Sequence, residues 1–321
     1  MLAIEILQQK NYTTVKNFAL LDFSEGWIFI SFLFLCIYLT ILMGNLCIFT
    51  IIKINTNLHM PMYFFISNLS LLDICYSSVT LPWMIYNCIS GNRWISFNLC
   101  FAQLYLFVSL GGAECILLAT MAYDRFVAIC NPLKYPLIIN NRLCTNLAAG
   151  SWISGFLNSI LHTVLTSNLF FCKSEQNINH FYCDVPPLIE AACNPTYTSK
   201  ILLYVVSVFL GFSPFLFIVI SYINILSTIM KINSSAGRRK AFSTCSSHLI
   251  VVTMFYGTAN LNYVGPTSGY PLELERLLSL MYSLLTPLVN PIIYCLRNKE
   301  VKGALKKTFK RLFFTYNIIF T

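Results

Sequence analysis

Charge is scarce in this chain. Asp, Glu, Lys and Arg make up 10% of its 321 residues, where a soluble domain carries roughly 25%. So few charges cannot clothe a folded chain of this size in a solvated shell. A length that would allow two soluble domains therefore reads as one integral-membrane domain. The first 25 residues do not read as a cleavable leader, because Glu5, Lys10, Lys16, Asp22 and Glu25 interrupt them. The first apolar helix is then expected to act as an uncleaved signal anchor. No long internal repeat is evident, which weighs against an inverted-repeat transporter.

What is present is apolar: 57% of the residues are hydrophobic. Crossing a hydrocarbon core takes about 20 helical residues. Seven stretches qualify, at 26–52, 61–86, 100–122, 143–167, 199–230, 241–264 and 277–296. They are too long and continuous for barrel strands, and helices satisfy their own backbone in lipid. The fold class is all-α: a seven-transmembrane helix bundle over 26–296, after an extracellular tail at 1–25 and before a cytoplasmic segment at 297–321.

Basic residues orient the bundle. With the N-terminus outside, Lys10, Lys16, Arg93, Lys173, Lys200 and Arg276 are external. The other fifteen of the 21 Lys and Arg, among them Lys53, Arg125, Lys134, Arg142, Lys231, Arg238–Lys240 and the run from Arg297 to Arg311, are internal. That asymmetry follows the positive-inside rule and predicts a multi-pass membrane protein with an external N-terminus and a cytoplasmic C-terminus. The net charge of +9 then belongs to an inner face that meets anionic lipid and a protein partner, not nucleic acid. Asn11-Tyr12-Thr13 is a glycosylation acceptor on the outer side. In the C-terminal segment Val301, Leu305, Phe309 and Leu312 recur at helical spacing among lysines. This predicts a short amphipathic helix on the inner leaflet.

The longest connection, 168–198, holds Cys172, Cys183 and Cys193, and Cys100 opens the third helix on the same outer side. Four cysteines in an oxidising compartment imply two disulfides, with three connectivities open. His180 and Asp184 lie beside them, but disulfides account for the cysteines better than a metal does.

Charges inside the bundle mark its working parts. At the helical rise, Asp73 lies roughly 18 Å from Pro61, and Glu114 roughly 16 Å from Arg125. Both carboxylates fall near mid-membrane. They must share a proton, be hydrated or bind a monovalent cation such as Na+, with Asn45, Ser70 and Asn290 as further oxygen ligands. Asp124-Arg125 closes the third apolar stretch, where a guanidinium needs a partner or water access. Such a pair can act as a latch. Pro291 in the seventh stretch removes a backbone hydrogen bond, for which Asn290 offers a side-chain replacement, and Tyr294 follows near the inner mouth. His248 on the sixth stretch reads as a satisfied packing histidine ahead of a pH sensor.

These pieces resemble a rhodopsin-like G-protein-coupled receptor: Gly44-Asn45, Asp73, Cys100, Asp124-Arg125-Phe126, Pro214, Tyr222 and Asn290-Pro291-Ile292-Ile293-Tyr294. More narrowly the chain is similar to olfactory receptors of the tetrapod type, through LHMPMYFFISNLSLLDICYSS at 58–78, MAYDRFVAICNPLKY at 121–135, HFYCDVPPL at 180–188, KAFSTCSSHL at 240–249 and PLVNPIIYCLRNKEVKGAL at 287–305. Two positions depart from that family's pattern: Phe126 replaces a usual tyrosine, and Trp83 a usual basic residue.

The resemblance implies disulfides Cys100–Cys183 and Cys172–Cys193. It places Asp124, Arg125, Tyr222, His248, Asn290, Pro291 and Tyr294 in activation and G-protein coupling. It puts a ligand pocket among Phe107, Val108, Gly111, Gly112, Val206, Ser207, Leu210, Tyr256, Ala259, Asn260, Tyr263, Leu280 and Ser283. Phe107 stands where amine receptors carry an acid, and none of the thirteen is formally charged. Gly111 and Gly112 either leave room there or serve close helix packing.

The expected ligand is a small, neutral, mostly apolar volatile, oriented by Ser207, Asn260, Tyr256 or Ser283 and bound at micromolar strength, about −8 kcal/mol. The expected partner is a stimulatory, olfactory-type heterotrimeric G protein that raises cyclic AMP. Exchange would occur on that partner, so the chain would be no enzyme. The competing readings are an ion- or proton-coupled transporter, motivated by Asp73 and Glu114, and the same receptor fold serving a non-odorant ligand.

Overall fold

A computed structural model describes residues 15–21, 27–171, 177–193, 197–263, 272–297 and 300–308. Asn11, Cys172, Phe309 and Leu312 lie outside the described residues, as do the side chains of Val206, Ser207, Leu210 and Tyr263. Among the described residues there are seven long helices: α1 Trp27–Ile54, α2 Pro61–Ser90, α3 Phe97–Cys130, α4 Asn141–Ser167, α5 Tyr197–Met230, α6 Ser235–Tyr263 and α7 Leu272–Arg297.

Local chemistry sets several of their ends. Pro61 sits in the first turn of α2, where its missing N–H costs nothing, and Gly91 stops the helix in the left-handed region at φ 63°. Ser96 and Asn140 cap α3 and α4 by accepting from the N–H groups of Leu99 and Leu143. α3 runs eight residues past the apolar stretch that predicts it, to Cys130. Arg125 is therefore inside the helix, more than a turn before its end.

Among the described residues, α1, α2, α3, the Gly211–Met230 part of α5 and the Arg276–Tyr294 part of α7 are long and apolar enough to cross a membrane by themselves. α4 and α6 are long enough but carry more polar side chains. Those groups return their hydrogen bonds to the helix backbone: Ser151 Oγ donates to the Leu147 carbonyl, Thr166 Oγ1 to His162 and Thr258 Oγ1 to Met254, at 2.8 Å each. Such back-bonding makes a polar helix tolerable in lipid. Large apolar side chains turned outward, including Phe29, Phe32 and Met43, each at least 64% exposed, supply the lipid-facing surface.

α3 packs against α2, α4, α5 and α6, while α1 packs on α2 and α7. The tightest approach is between α3 and α4. A Cβ on Gly112 would come 3.4 Å from the Gly155 Cα, and a Cβ on Gly155 would collide with the Ser109 carbonyl oxygen. Gly155 is thus the glycine that this packing requires, while a Cβ at Gly112 would make only ordinary contact. Pro291 has a partner the sequence does not suggest. It cannot donate to the Pro287 carbonyl, and Asn45 Nδ2 of α1 takes that place at 3.0 Å. This corrects the assignment of the role to Asn290, whose amide is engaged elsewhere.

One end of the bundle carries a small lid. β1 (Asn17–Ala19) pairs antiparallel with β2 (Trp94–Ser96), and Leu21 N–H donates to the His180 carbonyl at 2.9 Å. At the opposite end, residues 300–308 are helical with Val301 buried and Lys302, Lys306 and Lys307 exposed. Tyr63 Oη donates to Glu300 Oε2 at 2.7 Å and fastens this segment to α2.

Candidate functional site: a lidded cavity and a polar switch

Beneath the lid lies a cavity of about 410 Å³, walled by α3, α4, α5, α6 and α7 and by Val185 of the connection between α4 and α5. Its described lining is Phe107, Val108, Gly111, Gly112 and Cys115 of α3, Asn158 and His162 of α4, Val208, Gly211, Phe212 and Phe215 of α5, Tyr256, Ala259 and Asn260 of α6, and Tyr282 of α7. None of these is an Asp, Glu, Lys or Arg. A cavity of this size and composition suits an uncharged organic molecule of modest size. Its aromatic walls are braced from behind. Phe107 stacks on Tyr76 and packs at a tilt against Tyr182, both at 4.8 Å between centroids, and Phe215 meets Tyr256 at 5.0 Å.

The lid is fixed to the cavity wall. Cys100 and Cys183 form a disulfide across 83 residues of sequence. Gln103 accepts from the Cys183 N–H at 3.0 Å and donates to the Val79 carbonyl at 2.9 Å. Tyr182 Oη donates to the Ser279 carbonyl at 3.1 Å. Cys193 is also disulfide-bonded, and Cys172, expected as its partner, is outside the described residues. His180 is buried in the lid, with Nδ1 2.8 Å from the Tyr182 carbonyl oxygen. Burial and the Arg276 charge push its pKa down from 6.5 to about 4, so it is neutral at physiological pH. Among the described residues no cluster of three or more His, Cys, Asp or Glu could hold a metal ion.

Mid-bundle, Asp73 and Glu114 are both buried. Asn290 Nδ2 donates to both Asp73 oxygens, at 3.2 and 3.0 Å. The amide thus turns its donor, not its oxygen, toward the carboxylate. Toward the end opposite the lid, Arg125 pairs with Asp124 at 3.2 Å. Tyr135, on the one-turn helix Tyr135–Ile138, donates to Asp124 Oδ1 at 2.8 Å. Burial and the Asp124 charge push the Tyr135 hydroxyl well above its usual range, which keeps it a donor. Tyr222 of α5 and His248 of α6 are 2.7 Å apart, Oη to Nδ1, and Tyr294 is buried near the end of α7.

Comparison with known proteins decides the family. The olfactory receptor family model matches residues 34–311. The chain belongs to the olfactory receptor family. Olfactory receptor 5AP2 of Mus musculus is 46% identical over 306 residues, covering 94% of this chain and 96% of that protein. Olfactory receptor 10A3 of Homo sapiens is 45% identical over 308 residues, covering 95% and 98%. The crystal structure of squid rhodopsin matches with a TM-score of 0.69 at 17% identity, over 89% of this chain and 86% of that one, a likeness of fold. The chain is thus an all-α, seven-helix, multi-pass membrane protein.

In this olfactory receptor the cavity gathers seven of the pocket residues named from sequence: Phe107, Val108, Gly111, Gly112, Tyr256, Ala259 and Asn260. Leu280 and Ser283 are a correction. α7 turns Tyr282 to the cavity instead, and Ser283 is fully buried with its Oγ on the Leu280 carbonyl at 3.2 Å. Sequence reasoning missed the α4 wall, the Gln103 brace and the Tyr135 contact. Asn158 and His162 carried only a weak signal, because Ser151, Ser154 and Thr166 spread polar side chains along the same helix.

Proposed function

We propose that this olfactory receptor binds a small, neutral, mostly apolar volatile in the lidded cavity and activates a stimulatory olfactory-type heterotrimeric G protein that raises cyclic AMP. The observation that carries the reading is the cavity of about 410 Å³ whose described walls hold no Asp, Glu, Lys or Arg. A cation or anion would enter it without a counter-charge, at a high desolvation cost. The lid end is extracellular in this proposal and the Arg125 end cytoplasmic. The excess of basic residues at the Arg125 end supports that orientation. The ligand acts by preferring the state in which the contacts around Arg125 separate, and it shifts the population only by that preference. Nucleotide exchange takes place on the G protein, so the chain works as a receptor and not as a catalyst.

The test is expression with an olfactory-type G protein and measurement of cyclic AMP against a broad panel of neutral volatiles. A dose-dependent rise that is lost in Arg125→Ala at equal surface level is expected. Silence from a surface-expressed receptor across the panel would contradict the proposal.

A further inference from the structure

The polar donors that the described part of α6 brings to the cavity are already engaged: Tyr256 Oη donates to the Cys115 carbonyl at 3.3 Å, and Asn260 Nδ2 to the Tyr256 carbonyl at 2.8 Å. α4 differs. Asn158 and His162 both line the cavity, and His162 is only 4% exposed. The Oδ1 of Asn158 and the Nδ1 of His162 are buried with no hydrogen-bond partner. The two residues are four apart in one helix, so their side chains leave the same face one turn from each other. Their helix cannot drift to relieve them. The Gly112–Gly155 approach holds α4 against α3, and Ser159, between the pair in sequence, donates to the Tyr105 carbonyl at 2.6 Å. An unpaired buried polar atom is unfavourable and gains most from a new partner.

We infer that Asn158 and His162 are the polar anchor of this cavity and that they select ligands bearing a hydroxyl group. The inference rests on the odorant reading and narrows its ligand class. A hydroxyl both donates and accepts, so a single oxygen can bridge an amide and an imidazole one turn apart. It can do so in either amide orientation, because a half-turn about Cβ–Cγ exchanges Oδ1 and Nδ2. An ether oxygen only accepts and leaves one orphan atom unpaired; an alkane leaves both. Val208, Phe212 and Phe215 on the facing helix offer the apolar surface for the rest of an alcohol.

The purified full-length receptor, loaded with fluorescent aminoanthracene as an apolar probe, is titrated with n-octanol, n-octyl methyl ether and n-octane. Displacement by n-octanol at a concentration about tenfold below that needed for the ether is expected, with the alkane weakest. His162→Phe and Asn158→Leu should each erase most of that preference, bringing displacement by n-octanol to within about twofold of the ether in the same variant. His162→Gln, which keeps a donor and an acceptor, should retain the preference and carries the test if the Phe variant does not fold. Equal displacement by alcohol and ether, or a preference that survives in both variants, overturns the inference alone. Failure of aminoanthracene to bind the wild-type receptor overturns the odorant reading as well.

Discussion

The two ends of α3 are held by different kinds of force. At the lid, a disulfide joins Cys100 to Cys183, and Phe18, Phe97, Phe101 and Phe171 cluster with ring centroids 4.5 to 6.3 Å apart. The N-terminal segment crosses over them through the β1–β2 ribbon. At the other end stand one ion pair on Arg125, the Tyr135 hydroxyl and the Tyr222–His248 contact. Each of those is worth on the order of 1 kcal/mol. The medium differs too. Lid side chains leave water when they cluster, so the hydrophobic effect drives them together. Helices within lipid gain little that way and depend on packing and hydrogen bonds. One helix therefore carries a stapled end and a separable end. Damage to the first should cost folding, and damage to the second should alter signalling.

The sharpest way to break that contrast is at the staple. Cys183→Ser should cost roughly 2–5 kcal/mol and abolish surface delivery, read by surface immunolabelling; normal trafficking would contradict the lid's role. Next comes pH. His180 is neutral in the folded lid, whereas the unfolded chain takes up its proton near pH 6.5. Below that pH the unfolded state binds more protons, so stability should fall between about pH 6.5 and 4 by up to roughly 3 kcal/mol and stay flat above. Thermal midpoints across pH for the wild type and His180→Asn would separate this contribution. Gly155→Val forces a side chain into the α3 backbone and should lower stability by about 1–3 kcal/mol, measured by thermal denaturation. The smallest effect belongs to the separable end. Tyr135→Phe removes one hydrogen bond from Asp124 and should raise ligand-independent cyclic AMP by up to about fivefold, without loss at the surface. A drop in surface level with no change in basal signal would blur the two ends.

The seven helices were legible because crossing lipid demands long apolar runs, and a linear scan reads those directly. Most of the α3 and α6 cavity residues were also legible, through the family resemblance. What escaped depended on rotation and on long-range pairing. Leu280 and Ser283 fell off the cavity and Tyr282 onto it, since α7 holds two prolines and its facing cannot be counted from one end. The Pro287 carbonyl freed by Pro291 is filled by Asn45, 242 positions earlier in the chain, which no local pattern announces. The strands of the lid are three residues each, too short for an alternating pattern to register. α4 mixes polar residues around its circumference, so its cavity face emerged only when the Gly112–Gly155 contact fixed its roll.

The most direct test of the two-ended account is a pair of distances within α3 and α6 of the reconstituted receptor, measured by spectroscopic labels with and without a volatile agonist. One pair spans the lid ends of the two helices, the other their Arg125 ends. The account predicts that agonist lengthens only the second distance and that Tyr135→Phe, which weakens the hold on Asp124, shifts part of the population to the longer distance without agonist. Equal movement at both ends, or movement confined to the lid, would contradict it.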